Sequence, residues 1–500
     1  MKKILLAASI LACSAPLLGQ AAPAPAAKES ERPIPEPIVS VTRHSGTFGG
    51  QRVAYSATAS ETYLKAADGT PRASIFSIAY VKEPRDPSRP ITFLFNGGPG
   101  SGSLWLHMGA FGPKRVAIPS DARDDGGPPF PIVDNPDSLL DTTDIVFIDP
   151  VGTGFSRPLG KTEGKDYWGV TQDAKSVAEF IRIWLGENGR WNSPKYLGGE
   201  SYGTTRSAAV VNELEGRYND VSLNGILLIS TILDFGAQAT VPGNEMPYVL
   251  FLPSMAAAAH HHGKAPADAG TLEGFVQEAR DFAAGDYAIA LMKGQKLQGE
   301  ERASIRRRLA RFTGLSERFL ESADLRVSDQ RFYKELLRDR GLVVGRLDAR
   351  YTGRDYDNAG EGPDNDPSFY GIDAGYTAAL NAWVRDGLKF RTDRQYSTIG
   401  GVGEWNWDLN DLGGDSRYYK NVAPYLGRAM RENSGLRVFV GQGYFDFATP
   451  FYGAEYSLTR TGIPQERIHY SYYGSGHMMY VRDEDRSKLS SDVRAFIRAR

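Results

Sequence analysis

The sequence is poor in features that would assign a function at once. Only one of its 500 residues is a cysteine, Cys13, which excludes a disulfide framework. Charge of one sign is not concentrated either: 58 basic and 60 acidic residues give a formal net charge of −2. This balance argues against nucleic acid as the partner, whereas 41% hydrophobic residues suffice for a large core.

Long apolar runs are also scarce, and the clearest one covers residues 4–13. It follows two lysines and precedes a small-residue cleavage site, an order typical of a secretory signal peptide rather than of a membrane-spanning helix. We expect residues 1–22 to be a signal peptide and residues 23–38 a Pro/Ala-rich linker. The mature protein would then be periplasmic or secreted, without stable membrane insertion. A lipid anchor at Cys13 is the alternative.

Hydrophobic periodicity predicts an α/β fold. Residues 39–82 contain short alternating runs, at residues 51–57, 62–65 and 74–80, separated by Gly and Asp-Gly, which is typical of an antiparallel meander. Helical spacing recurs further on, as at residues 174–185. Strands that are buried on both faces and alternate with helices are typical of a parallel sheet. Continuous apolar runs predict such strands at residues 91–95, 145–148, 225–232, 436–440 and 468–473.

Residues 236–375 differ in character from the segments around them. They contain Ala-rich and charged helical stretches, such as residues 303–309, and no recurring buried strand. We interpret this region as a mostly helical inserted cap. The predicted domain organisation is therefore a core formed by residues 39–235 and 376–500, interrupted by that cap.

The motif Gly199-Glu200-Ser201-Tyr202-Gly203 has the spacing of a nucleophile elbow. Glycines two places on either side of a serine let a strand turn sharply into a helix, with the serine exposed at the apex. Composition alone supplies roughly 0.4 such matches in a chain with 55 glycines. The context supports the motif, because a short apolar strand end precedes it and helical spacing follows it.

Two later residues fit the partners that a nucleophilic serine needs. Asp446 and His477 each come just after a predicted strand, in the chain order of the α/β-hydrolase triad. His477 would accept the proton of Ser201 and return it to the leaving group, while Asp446 would orient the imidazole. The predicted fold class is an α/β-hydrolase fold with a mostly helical inserted cap.

Other residues of the same types compete for these roles. Asp234 also follows a predicted strand, where some hydrolases place the acid. His107 is less well placed, and His469 lies inside a strand pattern. Residues 260–262 are consecutive histidines in the presumed cap, but no acidic or cysteine ligand accompanies them at metal spacing. We interpret this run as a solvated turn.

A glycine loop follows the predicted strand at residues 91–95. Its Gly-Gly-Pro-Gly sequence, residues 97–100, predicts an oxyanion hole formed by the N–H groups of Gly98 and Tyr202. A tight turn is the alternative interpretation. A nucleotide phosphate loop is excluded, because Pro99 lacks an N–H group and no Gly-Lys-Ser/Thr follows.

Five segments spread over nearly the whole mature chain are recognisable: FLFNGGPGSGSLWLHMGAFGP (93–113), DIVFIDPVGTGFS (144–156), GGESYGT (198–204), GQGYFDFATP (441–450) and GSGHMMY (474–480). In sequence and in order they resemble the serine carboxypeptidase family, specifically its bacterial branch. The resemblance implies the triad and oxyanion hole given above. It also implies that Asn96, Gly97 and Glu200 recognise the C-terminal carboxylate of a peptide substrate, and that no metal or organic cofactor takes part.

Two departures from the family pattern bear on specificity. Leu94 and Ser101 stand where the eukaryotic members have Trp and Cys. More importantly, Ala110 stands where family carboxypeptidases have a second acidic residue, which shares a proton with the counterpart of Glu200. Glu200 would therefore have to bind the substrate carboxylate alone, kept protonated by burial.

The leading hypothesis is an exported serine carboxypeptidase that hydrolyses C-terminal residues from peptides through an acyl-enzyme on Ser201. An esterase or acyl transferase that uses the same triad is the alternative, motivated by Ala110. A non-catalytic binding protein is a third hypothesis, which the complete triad disfavours. Pocket preference would depend on cap residues, for which Trp405 and Trp407 are candidates, although both also fit packed aromatics.

Overall fold

A computed structural model describes residues 34–216, 218, 220–409 and 420–499. The predicted signal peptide and residues 23–33 of the predicted linker lie outside these ranges. None of the helices within them combines the length and the hydropathy that a membrane span requires.

The described residues form fourteen strands, most of which belong to one sheet. They are β1 (Val39–Phe48), β2 (Gln51–Lys65), β3 (Pro71–Glu83), β4 (Ile91–Phe95), β5 (Lys114–Val116), β6 (Ile132–Asp134), β7 (Asp144–Asp149), β8 (Arg157–Pro158), β9 (Lys195–Ser201), β10 (Gly225–Thr231), β11 (Val343–Val344), β12 (Thr352–Gly353), β13 (Arg437–Gly443) and β14 (Ile468–Tyr473).

In the described chain, ten of these strands form the main sheet in the order β1-β2-β3-β7-β4-β9-β10-β13-β14, with β8 paired to β3. Strands β1 to β3 pair antiparallel, and β3 also meets β7 antiparallel. From β7 to β14 every neighbouring pair is parallel. The carboxyl ends of β4, β9, β10, β13 and β14 therefore lie at one edge, where open α/β sheets bind their ligands.

Thirteen α-helices occur in the same ranges. They are α1 (Val170–Glu187), α2 (Tyr202–Leu214), α3 (Met246–His261), α4 (Leu272–Phe282), α5 (Ala288–Lys293), α6 (Gly299–Thr313), α7 (Glu317–Ser322), α8 (Asp329–Glu335), α9 (Pro367–Tyr370), α10 (Asp373–Ala382), α11 (Ala423–Glu432), α12 (Phe451–Leu458) and α13 (Asp483–Arg498).

The first three strands form the predicted meander, with one difference. We expected separate strands at residues 51–57 and 62–65, but β2 runs without a break from Gln51 to Lys65. The separate strands were wrong because no glycine or proline interrupts the intervening residues, and the alternation continues through the buried Ala59 and Glu61.

Apolar side chains are buried on both faces of the sheet. Helices α1, α2 and α11 pack on one face through residues such as Phe180, Val211 and Leu426. Helices α10 and α13 cover the other face through residues such as Tyr376 and Phe496. Every residue of β4 and β10 is buried, which explains the continuous apolar sequences of these strands. The predicted α/β class is confirmed.

The chain between β10 and β13 contains α3 to α11 and the small β11–β12 pair, and its residues 236–375, the predicted cap, are called the insertion below. Helices α3 to α8 share an apolar core that includes Phe275, Leu309 and Phe332, and Phe447 from the loop after β13 joins it. Helix α10 instead joins the apolar core on the other side of the main sheet, where it contacts residues 106–111 and β5, and it crosses the predicted cap boundary at residue 375. The insertion therefore contacts the core beside the carboxyl end of β13.

Candidate active site

Ser201 lies at the sharp turn between β9 and α2. Its backbone has φ 61° and ψ −129°, a conformation that costs free energy in any residue with a side chain. The flanking glycines are required by close packing. A Cβ on Gly199 would collide with the Gly203 carbonyl, and a Cβ on Gly203 would lie 3.0 Å from the carbonyl oxygen of Phe95. The motif thus adopts the geometry of an elbow.

Asp446 and His477 are hydrogen-bonded partners at the same edge of the sheet. They follow β13 and β14, and His477 Nδ1 lies 2.8 Å from Asp446 Oδ2. Both are buried, with exposed fractions of 0% and 5% respectively. Burial lowers the pKa of His477, but the Asp446 carboxylate and its hydrogen bond outweigh burial, so that the pKa is raised overall. The pair is therefore suited to hold a proton on the imidazole.

The Asp446 carboxylate is fixed by the turn that follows it. Its Oδ1 accepts hydrogen bonds from the backbone N–H groups of Ala448, at 2.8 Å, and Thr449, at 3.0 Å. Its Oδ2 accepts from Thr449 Oγ1 at 2.7 Å in addition to His477. This network orients the carboxylate and holds His477 by Nδ1, so that Nε2 is the nitrogen able to face a nucleophile.

Ser201 and His477 line one cavity of about 420 Å³. In the described part of the chain, the side-chain hydrogen bonds of His477 are all made by Nδ1, so Nε2 is free for Ser201. Hydrogen bonds between nucleophile and base commonly tighten only in the substrate complex. Asn96, Gly98 and Glu200 line the same cavity.

The glycine loop at residues 97–100 packs directly against the elbow. A Cβ on Gly97 would lie 2.6 Å from the backbone nitrogen of Tyr202, so only glycine allows this approach. The N–H group of Gly98 has no acceptor among the described residues. Tyr202 is the first residue of α2, where helical N–H groups lack intrahelical partners. The two predicted oxyanion donors therefore lie in adjoining segments.

A buried arginine holds the loop and the elbow together. Arg206 is 1% exposed and donates from Nη1 to the carbonyl oxygen of Asn96 and from Nε to Asp173 Oδ2, both at 2.6 Å. Its guanidinium also lies 5.1 Å from the ring centroids of Phe95 and Tyr202. One cation thus connects the end of β4 with the first turn of α2.

Glu200 is buried beside the nucleophile. It is 3% exposed, and the Tyr480 hydroxyl donates to its Oε2 at 2.7 Å. Burial raises the pKa of Glu200 to about 7, although His477, Tyr480 and the nearby Asn96 favour the charged form. Asn96 Nδ2 is buried without a well-formed hydrogen bond among the described residues, while its Oδ1 accepts from Leu106 N. An amide donor is therefore available next to a protonatable carboxyl group.

The insertion supplies another wall of the cavity, which includes Arg346, Asp366 and Phe369. The Asp366 carboxylate accepts hydrogen bonds from the backbone N–H groups of Arg346 and Leu347 and from Ser368. Within the described ranges, the Arg346 guanidinium forms no ion pair. This wall therefore carries a guanidinium without an ion-pair partner beside a carboxylate whose hydrogen bonds come from neutral donors.

The competing acid and histidines lie away from the cavity. Asp234 accepts a hydrogen bond from Asn421 Nδ2 at 3.0 Å. His107 is buried against the Tyr80 hydroxyl at 2.7 Å, and burial lowers its pKa to about 3. His469 is an exposed residue of β14. None of these three residues lines the cavity as the described chain forms it.

Two further groups named from the sequence pack within the fold. The histidines at 260–262 lie at the end of α3 and in the turn that follows it, where His261 is exposed and His262 bonds the Ala349 carbonyl oxygen through Nε2 at 2.6 Å. Trp405 and Trp407 pack edge-on against Tyr202, with ring centroids 5.4 and 5.9 Å away. They support the elbow and do not line the described cavity.

Sequence reasoning missed Thr449, Tyr480 and Arg346. Thr449 had a local signal, because an aspartate followed three residues later by threonine is typical of a side-chain-stabilised turn. Tyr480 lies in a segment that we had singled out, but nothing in the sequence gave the direction of its hydroxyl. Arg346 lies in the insertion, where no sequence motif or periodicity indicated that a residue would line the cavity.

A family model described as serine carboxypeptidase matches residues 57–258. Over this segment the chain is similar to the serine carboxypeptidase family. The segment contains the glycine loop and the elbow, and the match confirms the resemblance expected from their motifs. Asp446 and His477 lie beyond it.

Two curated relatives from Arabidopsis thaliana match parts of the chain. Serine carboxypeptidase-like 13 is 30% identical over 173 residues, which make up 34% of this chain and 38% of that protein. Serine carboxypeptidase-like 4 is 32% identical over 138 residues, or 27% of this chain and 30% of that protein. The chain therefore spans well under half the length of these serine carboxypeptidase-like relatives.

A solved structure is similar over most of the chain. It is Kex1Δp, a prohormone-processing carboxypeptidase from Saccharomyces cerevisiae, with a TM-score of 0.51 and 15% identity over 89% of this chain and 91% of that one. At this identity the likeness shows the fold alone. It confirms the predicted α/β-hydrolase fold.

Proposed function

We propose that this protein is a serine carboxypeptidase that releases C-terminal residues from peptides through an acyl-enzyme on Ser201. The observation that carries the proposal is one cavity lined by Ser201, His477 and the buried Glu200, with His477 held by Asp446. A triad alone would fit any acyl transfer. The buried carboxyl group beside the serine adds a means of recognising a free C-terminus.

In the proposed reaction, the Ser201 hydroxyl attacks the carbonyl carbon of the last peptide bond. His477 Nε2 accepts the hydroxyl proton and passes it to the leaving amino group, while Asp446 stabilises the imidazolium. A water molecule, deprotonated by His477, then hydrolyses the acyl-enzyme and restores Ser201. The N–H groups of Gly98 and Tyr202 would stabilise both tetrahedral oxyanions, and loss of one such donor typically lowers turnover ~100 to 1,000-fold.

The carboxylate of the substrate would bind at Asn96, Gly97 and Glu200. With a pKa of about 7, Glu200 carries a proton in acid and can donate a hydrogen bond to that carboxylate. Above this pH the ionised Glu200 would repel the substrate carboxylate. We therefore expect preference for free C-termini in acid.

A C-terminal amide tests this proposal directly. We expect kcat/KM at pH 5 to be at least ~10-fold higher for a blocked dipeptide than for its amide, because a carboxylate accepts a stronger, charge-assisted hydrogen bond from protonated Glu200 than a neutral amide does. Equal values would exclude carboxypeptidase activity and leave a hydrolase. Covalent labelling by a fluorophosphonate should disappear in Ser201→Ala, and labelling that persists would exclude Ser201 as the nucleophile.

We also infer that the mature protein acts on peptides in the periplasm or after secretion. The support is the apolar run at residues 4–13 behind two lysines. N-terminal sequencing of the protein from a fractionated host should give a start near residue 23. A start at Met1 would contradict export, and a lipid on Cys13 would indicate an anchored form.

An esterase or acyl transferase is the second candidate. Ala110 is buried in a π-helical turn, residues 106–111, and offers no carboxyl group to share a proton with Glu200. Tyr480 contacts Glu200 instead. Higher kcat/KM for a matched ester with a blocked carboxyl group, or faster transfer to an alcohol than to water, would favour this candidate.

A further inference from the structure

A short segment of the insertion, residues 346–349, is paired with both loops that carry the acid and the histidine. The backbone N–H of Phe447 donates to the Arg346 carbonyl oxygen at 3.1 Å, and that of Ala349 donates to the Phe445 carbonyl oxygen at 3.0 Å. On the other side, the N–H of His477 donates to the carbonyl oxygen of Leu347 at 2.6 Å. The segment therefore bridges the loops after β13 and β14.

Asp348 fixes the residue before the histidine. Its Oδ2 accepts a hydrogen bond from the backbone N–H of Gly476 at 3.0 Å. Arg350 clamps the same carboxylate, with Nη2 2.5 Å from Oδ2 and Nε 3.0 Å from Oδ1. The side chains of Asp348 and Arg350 are only 9% and 7% exposed. The carboxylate can therefore hold Gly476 in one place.

The backbone of Gly476 lies too close to Asp348 to leave room for a side chain. A Cβ on Gly476 would lie 2.6 Å from the Cα of Asp348. Gly476 has no positive φ, so its backbone conformation would tolerate another residue. A side chain at this position would instead disturb the close contact between Gly476 and Asp348. The segment is anchored in turn by Ser368 Oγ, which accepts from the N–H groups of Leu347 at 3.0 Å and Asp348 at 3.1 Å.

We propose that Asp348, clamped by Arg350, is a positioning residue that sets the distance of the His477 imidazole from Ser201. The inference rests on the proposed function, since it assigns His477 the role of base. Asp446 fixes the orientation of the imidazole, while Asp348 fixes the backbone from which it projects. Displacements of about 1 Å at a reacting group can cost ~100-fold in rate. The insertion thus completes the geometry of the site as well as forming its wall.

The decisive variant is Asp348→Asn, which keeps the size of the side chain but replaces one acceptor oxygen with a donor. In one orientation of the amide, the N–H of Gly476 and Nη2 of Arg350 lose their shared acceptor, and in the other the backbone N–H of Arg350 loses its acceptor. Both orientations remove the negative charge that pairs with Arg350. We expect kcat to fall ~10 to 100-fold while KM changes less than about threefold. The rate of fluorophosphonate labelling at Ser201 should fall by the same factor as kcat, because that reaction needs the base but no peptide.

Asp355→Asn is the matched control. Asp355 forms a buried ion pair with Lys334 in the same insertion, 2.5 Å apart with side-chain exposures of 5% and 0%, and it does not contact the loops of the triad. A merely structural role for Asp348 predicts that both variants lose Tm and kcat alike. The positioning role predicts a lower Tm in both variants. It predicts a lower kcat, calculated per site labelled by the fluorophosphonate, in Asp348→Asn alone.

Gly476→Ala disturbs the same contact without removing a charge, so it keeps the test open if Asp348→Asn does not fold. We expect the same pattern of lower kcat and unchanged KM. Wild-type labelling rates in Asp348→Asn and Gly476→Ala, or equal losses of kcat in Asp348→Asn and Asp355→Asn, would overturn the positioning role. A wild-type protein that is not labelled at Ser201 would instead overturn the proposed function.

Discussion

The hydroxyl of Tyr480 donates a hydrogen bond to Glu200 Oε2 over 2.7 Å in a region where both side chains are buried. Opposing influences act on the pKa of Glu200 here. Burial favours the neutral carboxyl group, whereas His477 and the tyrosine favour the carboxylate, with a resulting pKa of about 7. Glu200 is therefore hydrogen-bonded to a tyrosine and has no second carboxyl group at position 110. Its pKa sets the pH range over which we expect it to bind the substrate carboxylate.

Tyr480→Phe should extend recognition of free C-termini to higher pH. Removing the donor destabilises the charged form of Glu200, so its pKa rises above about 7. The ratio of kcat/KM for the free acid to that for the amide should then fall with a midpoint about one pH unit higher. The ratio is measured from pH 5 to 9, and titration of His477 cancels from it because both substrates need the same base. An unchanged or lower midpoint would contradict this account.

Glu200→Gln should remove the pH dependence of that ratio. The glutamine amide donates a hydrogen bond at every pH and cannot become negative. The substrate carboxylate stays ionised throughout, so a moderate preference for the free acid should persist unchanged from pH 5 to 9. The same two substrates are used, with Tyr480→Phe as the comparison. A ratio that still collapses near pH 7 would assign the titration to a group other than Glu200.

Thr449→Val should slow the reaction without abolishing it. The variant deprives the buried Asp446 Oδ2 of a 2.7 Å hydrogen bond but leaves its bond to His477. We expect kcat to fall about 10 to 100-fold, corresponding to one hydrogen bond to a charged acceptor, against ~10,000-fold for Asp446→Asn. Thr449→Ser restores the hydroxyl and should restore kcat, whereas equal losses in the valine and serine variants would point to packing.

Local patterns predicted the central strands and the elbow because their determinants are local. A strand buried on both faces, such as β4, must be continuously apolar, and the turn at Ser201 excludes side chains at its flanking glycines. Asp446 and His477 could be named because parallel strands bring their carboxyl ends to one edge. The positions of Asp446 and His477 follow from the order of the strands in the chain, so no knowledge of side-chain contacts was needed to name them.

Contacts made by the insertion could not be predicted in this way. Asp348 meets Gly476 across 128 residues, and neither residue lies in a periodic pattern that would reveal the approach. Trp405 and Trp407 were noticed in the sequence, but their role could not be decided from it. An aromatic pair is equally compatible with a pocket wall and with a packed support. Only the tertiary structure decides that both lie against Tyr202.

Asp173→Asn should destabilise the protein and weaken catalysis together. It leaves the charge of Arg206, which is 1% exposed, without its counterion, and such a loss typically costs about 3 to 5 kcal/mol of unfolding free energy. Because Arg206 also holds the Asn96 carbonyl oxygen, kcat of the remaining folded protein should fall as well. Urea unfolding and active-site titration separate the two effects. Glu317→Gln, in an exposed pair with Arg306, is the control and should change neither.

Arg346→Gln should change the charge preference of the cavity. The guanidinium lines the same cavity as Ser201 and has no ion-pair partner in the described chain, so it should favour acidic over basic side chains next to the scissile bond. We expect the ratio of kcat/KM for a substrate with Glu to one with Lys to fall about 3 to 10-fold in the variant, while a Leu substrate is nearly unaffected. High salt should reduce the ratio in the wild-type protein.

Arg318→Gln is the matched control for this prediction, because Arg318 is an exposed arginine of the same insertion that does not line the cavity. Its variant has the same change in net charge and should keep the wild-type ratio. If both variants shift the ratio equally, the effect belongs to the overall charge of the protein. If neither does, the substrate side chains lie beyond the reach of Arg346, and the preference of the pocket is set by apolar residues such as Phe369 and Ile399.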